Sequence, residues 1–164
     1  MQDQLSAQRV IRSYRQKINA PAAEVFPLIC PVREAEWLDG WDYRMIYSES
    51  GVAEEGCIFT SRHTGDEFDT IWMIIRHDPI EKTVEFTRIT PGSRTAKLTV
   101  KIADIGDGKS RVEIEYVFTA LNERGNTFLI TELTKEKFRA DMKFWEDSMN
   151  HWLKTGERLK AGGR

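Results

Sequence analysis

The end of the sequence constrains the fold most, because it contains one long amphipathic segment. Five large apolar residues recur there at spacings of 4, 3, 4 and 3, namely Phe138, Met142, Trp145, Met149 and Trp152. This spacing puts all five on one face of an α-helix. We expect the helix to begin near Thr134 and to end before Gly156, a residue that suits a helix C-terminus. A helix of roughly 22 residues is about 33 Å long, which is enough to cover a large sheet.

Seven segments ahead of this helix have strand patterns and are separated by turn residues. In the clearest, residues 112–118, apolar and acidic side chains alternate, which is typical of a strand with one face in the core and the other in water. The other six lie near residues 9–18, 43–48, 57–61, 68–77, 84–88 and 97–102. Segment 68–77 is almost continuously apolar, so we expect both of its faces to be covered or partly covered. Short turns favour an antiparallel meander, and a sheet of this size must twist and curl.

Two short helices are predicted between the first and second strands. Pro21 suits the first turn of a helix, and Pro31 ends that helix near residue 30. The second covers about residues 32–38. The predicted fold class is therefore α+β, a curved seven-stranded antiparallel sheet wrapped around a long C-terminal helix. We expect one domain over residues 1–164, with a core at about 9–157 and a frayed tail at 158–164.

Composition and charge exclude several classes of partner. The net charge of −2 gives no reason to expect nucleic-acid binding. The longest apolar run, residues 71–75, is far shorter than the ~20 residues that cross a bilayer, so we expect no stable membrane insertion. Residues 1–5 lack the pattern of a secretory signal. Cys30 and Cys57 are expected to be free thiols in a reducing cytoplasm.

The histidines do not predict a metal or cofactor site. No Cys/His cluster has zinc spacing, and no phosphate-binding loop is present. Asp147 and His151 are four residues apart, but both point away from the apolar stripe and suit a solvated helix surface. His63 and Asp66 could form an acid/base pair at a cavity mouth, or they could simply be exposed turn residues.

Three short motifs resemble the START-like superfamily, also called SRPBCC. They are Ile-x-Ala-Pro-x-x-x-Val-Phe at residues 18–26, Trp37 in the following helix, and Trp-Leu-x-x-Gly at residues 152–156. The superfamily includes polyketide cyclase/dehydrase-like proteins, lipid-transfer domains and the birch-pollen allergen fold. The resemblance implies a helix-grip fold, with a cavity between the sheet and the last helix in which hydrophobic ligands bind. A shared fold does not fix a function, so the site must be argued separately.

Seventeen aromatic residues supply large side chains for such a cavity. The residues expected to face it, and therefore to contact a ligand, are Trp37, Trp41, Tyr43, Tyr47, Phe59, Trp72, Phe86, Arg88, Tyr116, Phe118, Met142, Trp145 and Met149. For any single ring the alternative is that it simply fills the core.

Residues 121–133 are predicted to form a loop, because Asn122, Arg124, Gly125 and Asn126 are turn residues. This loop could act as a gate over the cavity opening, or it could pack onto the edge of the sheet.

Arg88 is the most specific candidate, because it shares the predicted inward face of Val84 and Phe86. A buried charge must be paired. Arg88 could clamp a ligand carboxylate. Alternatively, it could lie in water at the rim of the sheet, or it could pair with Asp69 or Glu67.

Three functions follow from these expectations. The first is binding or carriage of a small hydrophobic ligand, such as a lipid or a polyketide or aromatic metabolite. The second is a cyclase/dehydrase-like enzyme in which His63, Arg88 and Tyr116 carry the chemistry. The third is a protein-interaction module of the chaperone-activating type. The lack of an evident buried acid/base set favours the first, while ligand identity and oligomeric state stay open.

Overall fold

The computed structural model describes residues 6–162. Residues 1–5, to which the secretory-signal argument applies, and residues 163 and 164 of the predicted tail lie outside this range. The elements in chain order are β1 (Arg9–Ile18), α1 (Ala22–Val25), a 3-10 turn (Phe26–Leu28), α2 (Pro31–Trp37), β2 (Tyr43–Tyr47), β3 (Ile58–Ser61), β4 (Thr70–Asp78), β5 (Thr83–Thr90), β6 (Arg94–Gly106), β7 (Lys109–Ala120), α3 (Glu123–Thr131) and α4 (Lys135–Thr155).

The predicted seven-stranded antiparallel sheet is confirmed. Its strand order is β1-β7-β6-β5-β4-β3-β2, so β1 and β2 form its two edges. All neighbouring strands are antiparallel. From β2 to β7 each strand pairs with the next one in the chain, as expected when short turns connect antiparallel strands.

The long helix α4 has the predicted ends. The Thr134 side chain accepts a hydrogen bond from the backbone N–H of Lys137 at 3.2 Å, and this caps the N-terminus. Gly156 has a φ of 74°, and its N–H donates to the carbonyl of Trp152 at 2.7 Å. Glycine is favoured there because a Cβ atom is strained at positive φ.

The core lies between α4 and the inner face of the sheet. Alternate residues of β5, β6 and β7 are buried, as the period-two pattern predicts. From the helix, Phe138, Met142 and Met149 are buried against this surface. The side chain of Gln16 on β1 donates to the Met142 carbonyl at 3.0 Å and ties the edge strand to the helix.

The prediction for β4 holds only in its weaker form, because one face is buried and the other is partly exposed. Ile71, Met73 and Ile75 are exposed by 40–43%, and the residues between them are buried. Among the described residues no element packs on this outer surface. The continuous apolar run reflects an apolar surface rather than a second buried face.

Tyr47 was also predicted to face inward, and this is wrong. The register between β2 and β3 shifts between Met45 and Tyr47, and a bulge of this kind interrupts side-chain alternation. Tyr47 is 57% exposed as a result.

The segment at 121–133 was expected to be a loop, but most of it is helix α3. Asn122 caps this helix, since its side chain accepts a hydrogen bond from the N–H of Gly125 at 2.9 Å. Leu129 is buried and Ile130 is exposed, so the helix is amphipathic. Asn122, a residue type common in turns, is here the N-cap of a helix.

Part of the predicted tail contacts the rest of the protein, and its fraying stays a prediction. Leu159 forms a parallel bridge with Leu38, and the N–H of Ala161 donates to the Asp39 carboxylate at 3.1 Å. These contacts attach residues 159–161 to the loop after α2.

Three expectations from composition concern the same described residues. Cys30 and Cys57 are buried and form no disulfide. No helix within residues 6–162 is long and apolar enough to span a bilayer. The same range contains no group of three or more His, Cys, Asp or Glu side chains arranged to hold a metal ion.

Candidate functional site

A cavity of about 400 Å³ lies beneath the N-terminal half of α4. The strands β5, β6 and β7 form its floor, and α3 with the turn after it forms one side. The side chains in its wall are both apolar and charged, and they are His63, Arg88, Arg94, Tyr116, Phe118, Phe128, Glu132, Leu133, Lys137, Phe138, Ala140, Asp141 and Met142. A ligand there would meet aromatic rings and several charged groups together.

Arg88 lies among three aromatic rings of the floor. Its guanidinium carbon is 4.7 Å from the ring centre of Trp72, 5.7 Å from that of Tyr116 and 5.6 Å from that of Phe118. These distances are within the range of cation–π attraction. Burial lowers the pKa of Arg88, while Tyr116 acts in the opposite direction. The guanidinium stays protonated in proteins at physiological pH.

No carboxylate among residues 6–162 forms an ion pair with Arg88. The alternative that Arg88 pairs with Asp69 or Glu67 is wrong, because Asp69 pairs with Arg62 at 3.0 Å and Glu67 with Arg124 at 3.3 Å. Arg88 therefore contacts rings and a phenol directly, while the carboxylate of Asp66 acts on its charge at longer range without a salt bridge. Such a cation is available to an anionic group.

Tyr116 lies beside Arg88 and is 4% exposed. Its ring stacks on Phe118 with the ring centres 5.0 Å apart, and it meets the edge of Phe138 at 5.7 Å. Burial raises the pKa of the Tyr116 phenol, and the charge of Arg88 partly opposes that rise. The hydroxyl is therefore neutral at physiological pH and can act as a hydrogen-bond donor.

Arg94 fixes the rim of the cavity. It is 1% exposed, and it donates two hydrogen bonds of 3.0 Å to the two carboxylate oxygens of Asp66. Its guanidinium carbon also lies 3.5 Å from the ring centre of Phe128 on α3. Burial alone would raise the pKa of Asp66, but the hydrogen bonds and charge of Arg94 outweigh this and lower it. The loop between β3 and β4 is thus joined to β6 and α3.

His63 lies on the outer side of this rim. Its Nδ1 atom is 3.6 Å from a carboxylate oxygen of Asp66, and its side chain is 60% exposed. His63 is an exposed loop residue, and it also borders the cavity. A catalytic role for His63 stays a prediction.

Several solved structures have the same fold as this chain. Norcoclaurine synthase from Thalictrum flavum is 14% identical with a TM-score of 0.64, over 92% of this chain and 89% of that protein. A hypothetical protein from Helicobacter pylori is 6% identical with a TM-score of 0.69, over 87% of each chain. The di-domain ARO/CYC BexL from the BE-7585A biosynthetic pathway is 11% identical with a TM-score of 0.65, over 88% of this chain and 46% of that one.

The chain has the helix-grip fold that these structures share. The fold implied by the Ala-Pro and Trp-Leu-x-x-Gly motifs is thereby confirmed. No family model matches the sequence, and no curated protein matches it significantly in sequence. At these identities the likeness to solved structures extends to the fold alone, so the function has to be argued from the site.

The cavity is smaller than the sequence pattern suggests, because most of the predicted lining residues pack in the core outside it. Arg88, Tyr116, Phe118 and Met142 lie in the cavity wall. The predicted residues that lie outside it are Trp37, Trp41, Tyr43, Tyr47, Phe59, Trp72, Phe86, Trp145 and Met149. Ligand contact stays a prediction for all thirteen.

Close ring packing accounts for most of this difference. Phe59 stacks on Trp72 with the ring centres 5.5 Å apart, and Trp41 and Phe86 contact both rings at 5.9–6.5 Å. The indole N–H groups of Trp37, Trp41 and Trp72 all donate to protein oxygen atoms. Rings with satisfied donors and close neighbours form a core rather than a ligand-lined space.

Sequence reasoning missed several residues of the wall, although some had a signal. Arg94 is two residues before Ala96 and four before Leu98, so the alternation of β6 assigns it to the inner face. Phe138 belongs to the apolar stripe of α4. Phe128 and Glu132 had no usable signal, because their positions depend on the helix α3 that was taken for a loop.

Glu34 is a further buried charged residue near the site. It is 6% exposed on α2, and its carboxyl accepts no hydrogen bond from the described residues. Burial raises its pKa to about 8, so it is mostly protonated at neutral pH. Its position three residues before Trp37 puts it on the buried face of the helix. When it is ionised, its negative charge raises the pKa of Tyr116.

Proposed function

We propose that this protein binds a small hydrophobic molecule with one anionic group, and that Arg88 pairs with that group inside the cavity. The observation that carries this proposal is a cation that lies among three rings without a carboxylate partner in the described chain. Arg88 is only partly buried, so its charge is partly desolvated and gains from a counter-ion. An aromatic or aliphatic body would pack on Phe118, Phe138 and Met142.

The cavity volume fits this ligand class. A space of about 400 Å³ is near the lower end of the ~300–1,000 Å³ range of small-molecule sites. It suits one or two rings better than a long lipid chain. Norcoclaurine synthase, a structural neighbour, has been solved with dopamine and hydroxybenzaldehyde, which supports aromatic molecules as a class to test first.

A pair of probes that differ only in charge tests the role of Arg88. Naphthalene-2-carboxylate carries the anionic group, and naphthalene-2-carboxamide is its neutral analogue. Calorimetric titration of Arg88→Gln should give at least a tenfold weaker affinity for the carboxylate, because a charge-assisted pair is lost. Affinity for the carboxamide should change by less than about threefold.

The matched control is Arg15→Gln. Arg15 is 75% exposed on β1, outside the cavity, so this variant should bind both probes like the parent. Equal losses for the two probes in Arg88→Gln would contradict the proposed pairing. Small molecules released from the purified protein by denaturation and identified by mass spectrometry would then name the natural ligand class.

A second candidate is an enzyme of the cyclase/dehydrase kind that uses the same cavity. The specific support is the neutral phenol of Tyr116 next to the cationic Arg88, since the two could stabilise a developing enolate oxygen. Turnover of a polyketide precursor that is lost in Tyr116→Phe while binding is kept would favour this candidate. Unchanged turnover in that variant would exclude a chemical role for the hydroxyl.

The proposed binding function agrees with the expected compartment. The two cysteines are buried and unpaired, which is consistent with a reducing cytoplasm. Burial, and then the nearby Cys30, raises the pKa of Cys57 to about 11. That thiol is therefore a packing group rather than a nucleophile.

A further inference from the structure

The outer surface of β2, β4 and β5 is unusually apolar. Six large side chains there are exposed by 40–57%, namely Ile46, Tyr47, Ile71, Met73, Ile75 and Ile89. We call these six residues the outer apolar face. They are neighbours, because Ile71 pairs with Ile89, and Met73 and Tyr47 both pair with Ile58 of β3. The face is therefore one continuous patch rather than scattered residues.

The other half of the same outer surface is polar. On β1, β6 and β7 most outward positions are polar or charged, with Ile11 and Ile105 as separate exposed apolar residues, and ion pairs join Arg15 and Arg111 to Glu113. Isolated apolar residues on a surface need no explanation, but a contiguous patch does. The contrast between the two halves indicates that only the half near β2 is suited to burial.

From this arrangement we infer that the protein forms a two-fold symmetric dimer in which the outer apolar faces of two copies pack together. The exposed apolar area supports a second copy of the chain as the partner. Six large side chains that expose about half of their surface offer roughly 500–600 Å², which is at the upper limit for the largest patch on a typical monomer. With a polar rim, this approaches the ~800 Å² that each partner buries in a stable complex.

The charges around the face favour a second copy over a charged partner. Three ion pairs border it, Arg62 with Asp69 at 3.0 Å, Arg76 with Asp78 at 3.2 Å and Lys97 with Glu85 at 3.7 Å. Each pair neutralises itself, and Arg44, exposed on β2, adds one positive charge beside the face. A single positive charge attracts an anionic membrane only weakly. An apolar patch with a border of low net charge suits a two-fold interface.

The experiment measures the oligomeric state of the full chain. Sedimentation velocity between 5 and 200 µM should give a mass approaching twice the 19.0 kDa chain mass as the concentration rises. Met73→Lys puts a charge in the middle of the face and should raise the dissociation constant at least tenfold. Ile89→Thr is a milder variant at an exposed position and should raise it about threefold.

Ser13→Lys is the matched control, because it adds the same charge at an exposed site on β1. It should dimerise like the parent. Circular dichroism confirms that each variant is folded before its mass is read. A parent that stays monomeric at 200 µM overturns the inference, as does a dimer that survives both Met73→Lys and Ile89→Thr. Naphthalene-2-carboxylate binding is measured separately, so a failed dimer leaves the proposed binding function intact.

Discussion

The two halves of α4 lie over different interiors. Over its C-terminal half, Trp145 meets the edge of Trp37 with the ring centres 5.8 Å apart, and Met149 is 1% exposed. Over its N-terminal half, Phe138 and Met142 face the cavity. The helix presents the same apolar stripe to both ends, so the difference comes from the residues opposite it.

The sheet supplies that difference. Beside the cavity, toward β3, aromatic side chains of β3, β4 and β5 pack ring against ring. Opposite the open half, Arg88 and Arg94 project from β5 and β6. A guanidinium cannot be buried dry without a partner, so the space near Arg88 stays available to water or a ligand. Trp72 marks the boundary, since it stacks on Phe59 and also contacts the Arg88 guanidinium at 4.7 Å.

The largest expected effect comes from replacing a phenylalanine with alanine, once in the packed aromatic cluster and once beside the cavity. Phe59 is 2% and Phe138 is 5% exposed, so the two are matched in type and burial. Phe59→Ala should lower the free energy of unfolding by about 3–5 kcal/mol, because it opens a void in a packed region. Phe138→Ala should cost only about 2 kcal/mol, because one side of that ring already faces a cavity.

Urea denaturation at pH 7 measures both values. Equal losses would contradict the difference in packing between the two ends. Phe138→Ala should also enlarge the cavity and change the affinity for naphthalene-2-carboxylate, whereas Phe59→Ala should leave that affinity unchanged wherever the variant is folded.

The protonation of Glu34 gives a somewhat smaller effect with a defined pH dependence. In the unfolded chain this carboxyl ionises near its ordinary pKa of 4.5, while burial raises the pKa in the folded protein to about 8. Between those values the folded state holds a proton that the unfolded state has released. Stability therefore falls as the pH rises from about 5 to 8 and levels off above that range. Between pH 5 and pH 8 the loss should be about 3–4 kcal/mol, because each pH unit in this window contributes up to about 1.4 kcal/mol.

Glu34→Gln should remove most of this dependence and stabilise the protein at pH 8, because the amide stays neutral. The control is Glu36→Gln on the same helix, where the side chain is 46% exposed and paired with Arg33; it should keep the parent's pH profile. Thermal melts at pH 5, 6.5 and 8 compare the three proteins. A Glu34→Gln profile identical to the parent's would mean that Glu34 is not the titrating group.

The elements that the sequence predicted well are those in which a local pattern decides the outcome. The stripe of α4, its Thr134 cap and its Gly156 terminus depend on neighbours within a few residues. The inward positions of β7 follow from simple alternation. Arg88 also faces the predicted side, and the partners predicted for it were wrong only because Asp69 and Glu67 bind other arginines.

The elements that were missed depend on contacts between distant segments. The apolar run of β4 cannot by itself distinguish a second buried face from an exposed apolar surface. Tyr47 is turned outward by a register shift that involves β3. Which end of the interior is filled depends on how Trp41, Phe59 and Phe86 meet across three elements. A list of inward residues therefore overestimates the cavity wall.

The smallest expected effect compares the two ends of α4 directly. Thr134→Ala removes the N-cap hydrogen bond to Lys137 beside the cavity, and it should cost about 1 kcal/mol. Gly156→Ala puts a Cβ atom at a φ of 74° at the closed end, and it should cost about the same. Since Lys137 and Phe138 belong to the cavity wall, only Thr134→Ala should speed amide exchange at residues 135–138 and weaken binding of the carboxylate probe. If Gly156→Ala weakened binding equally, the two halves of α4 would act as one rigid unit, and the open end would not be independent of the closed one.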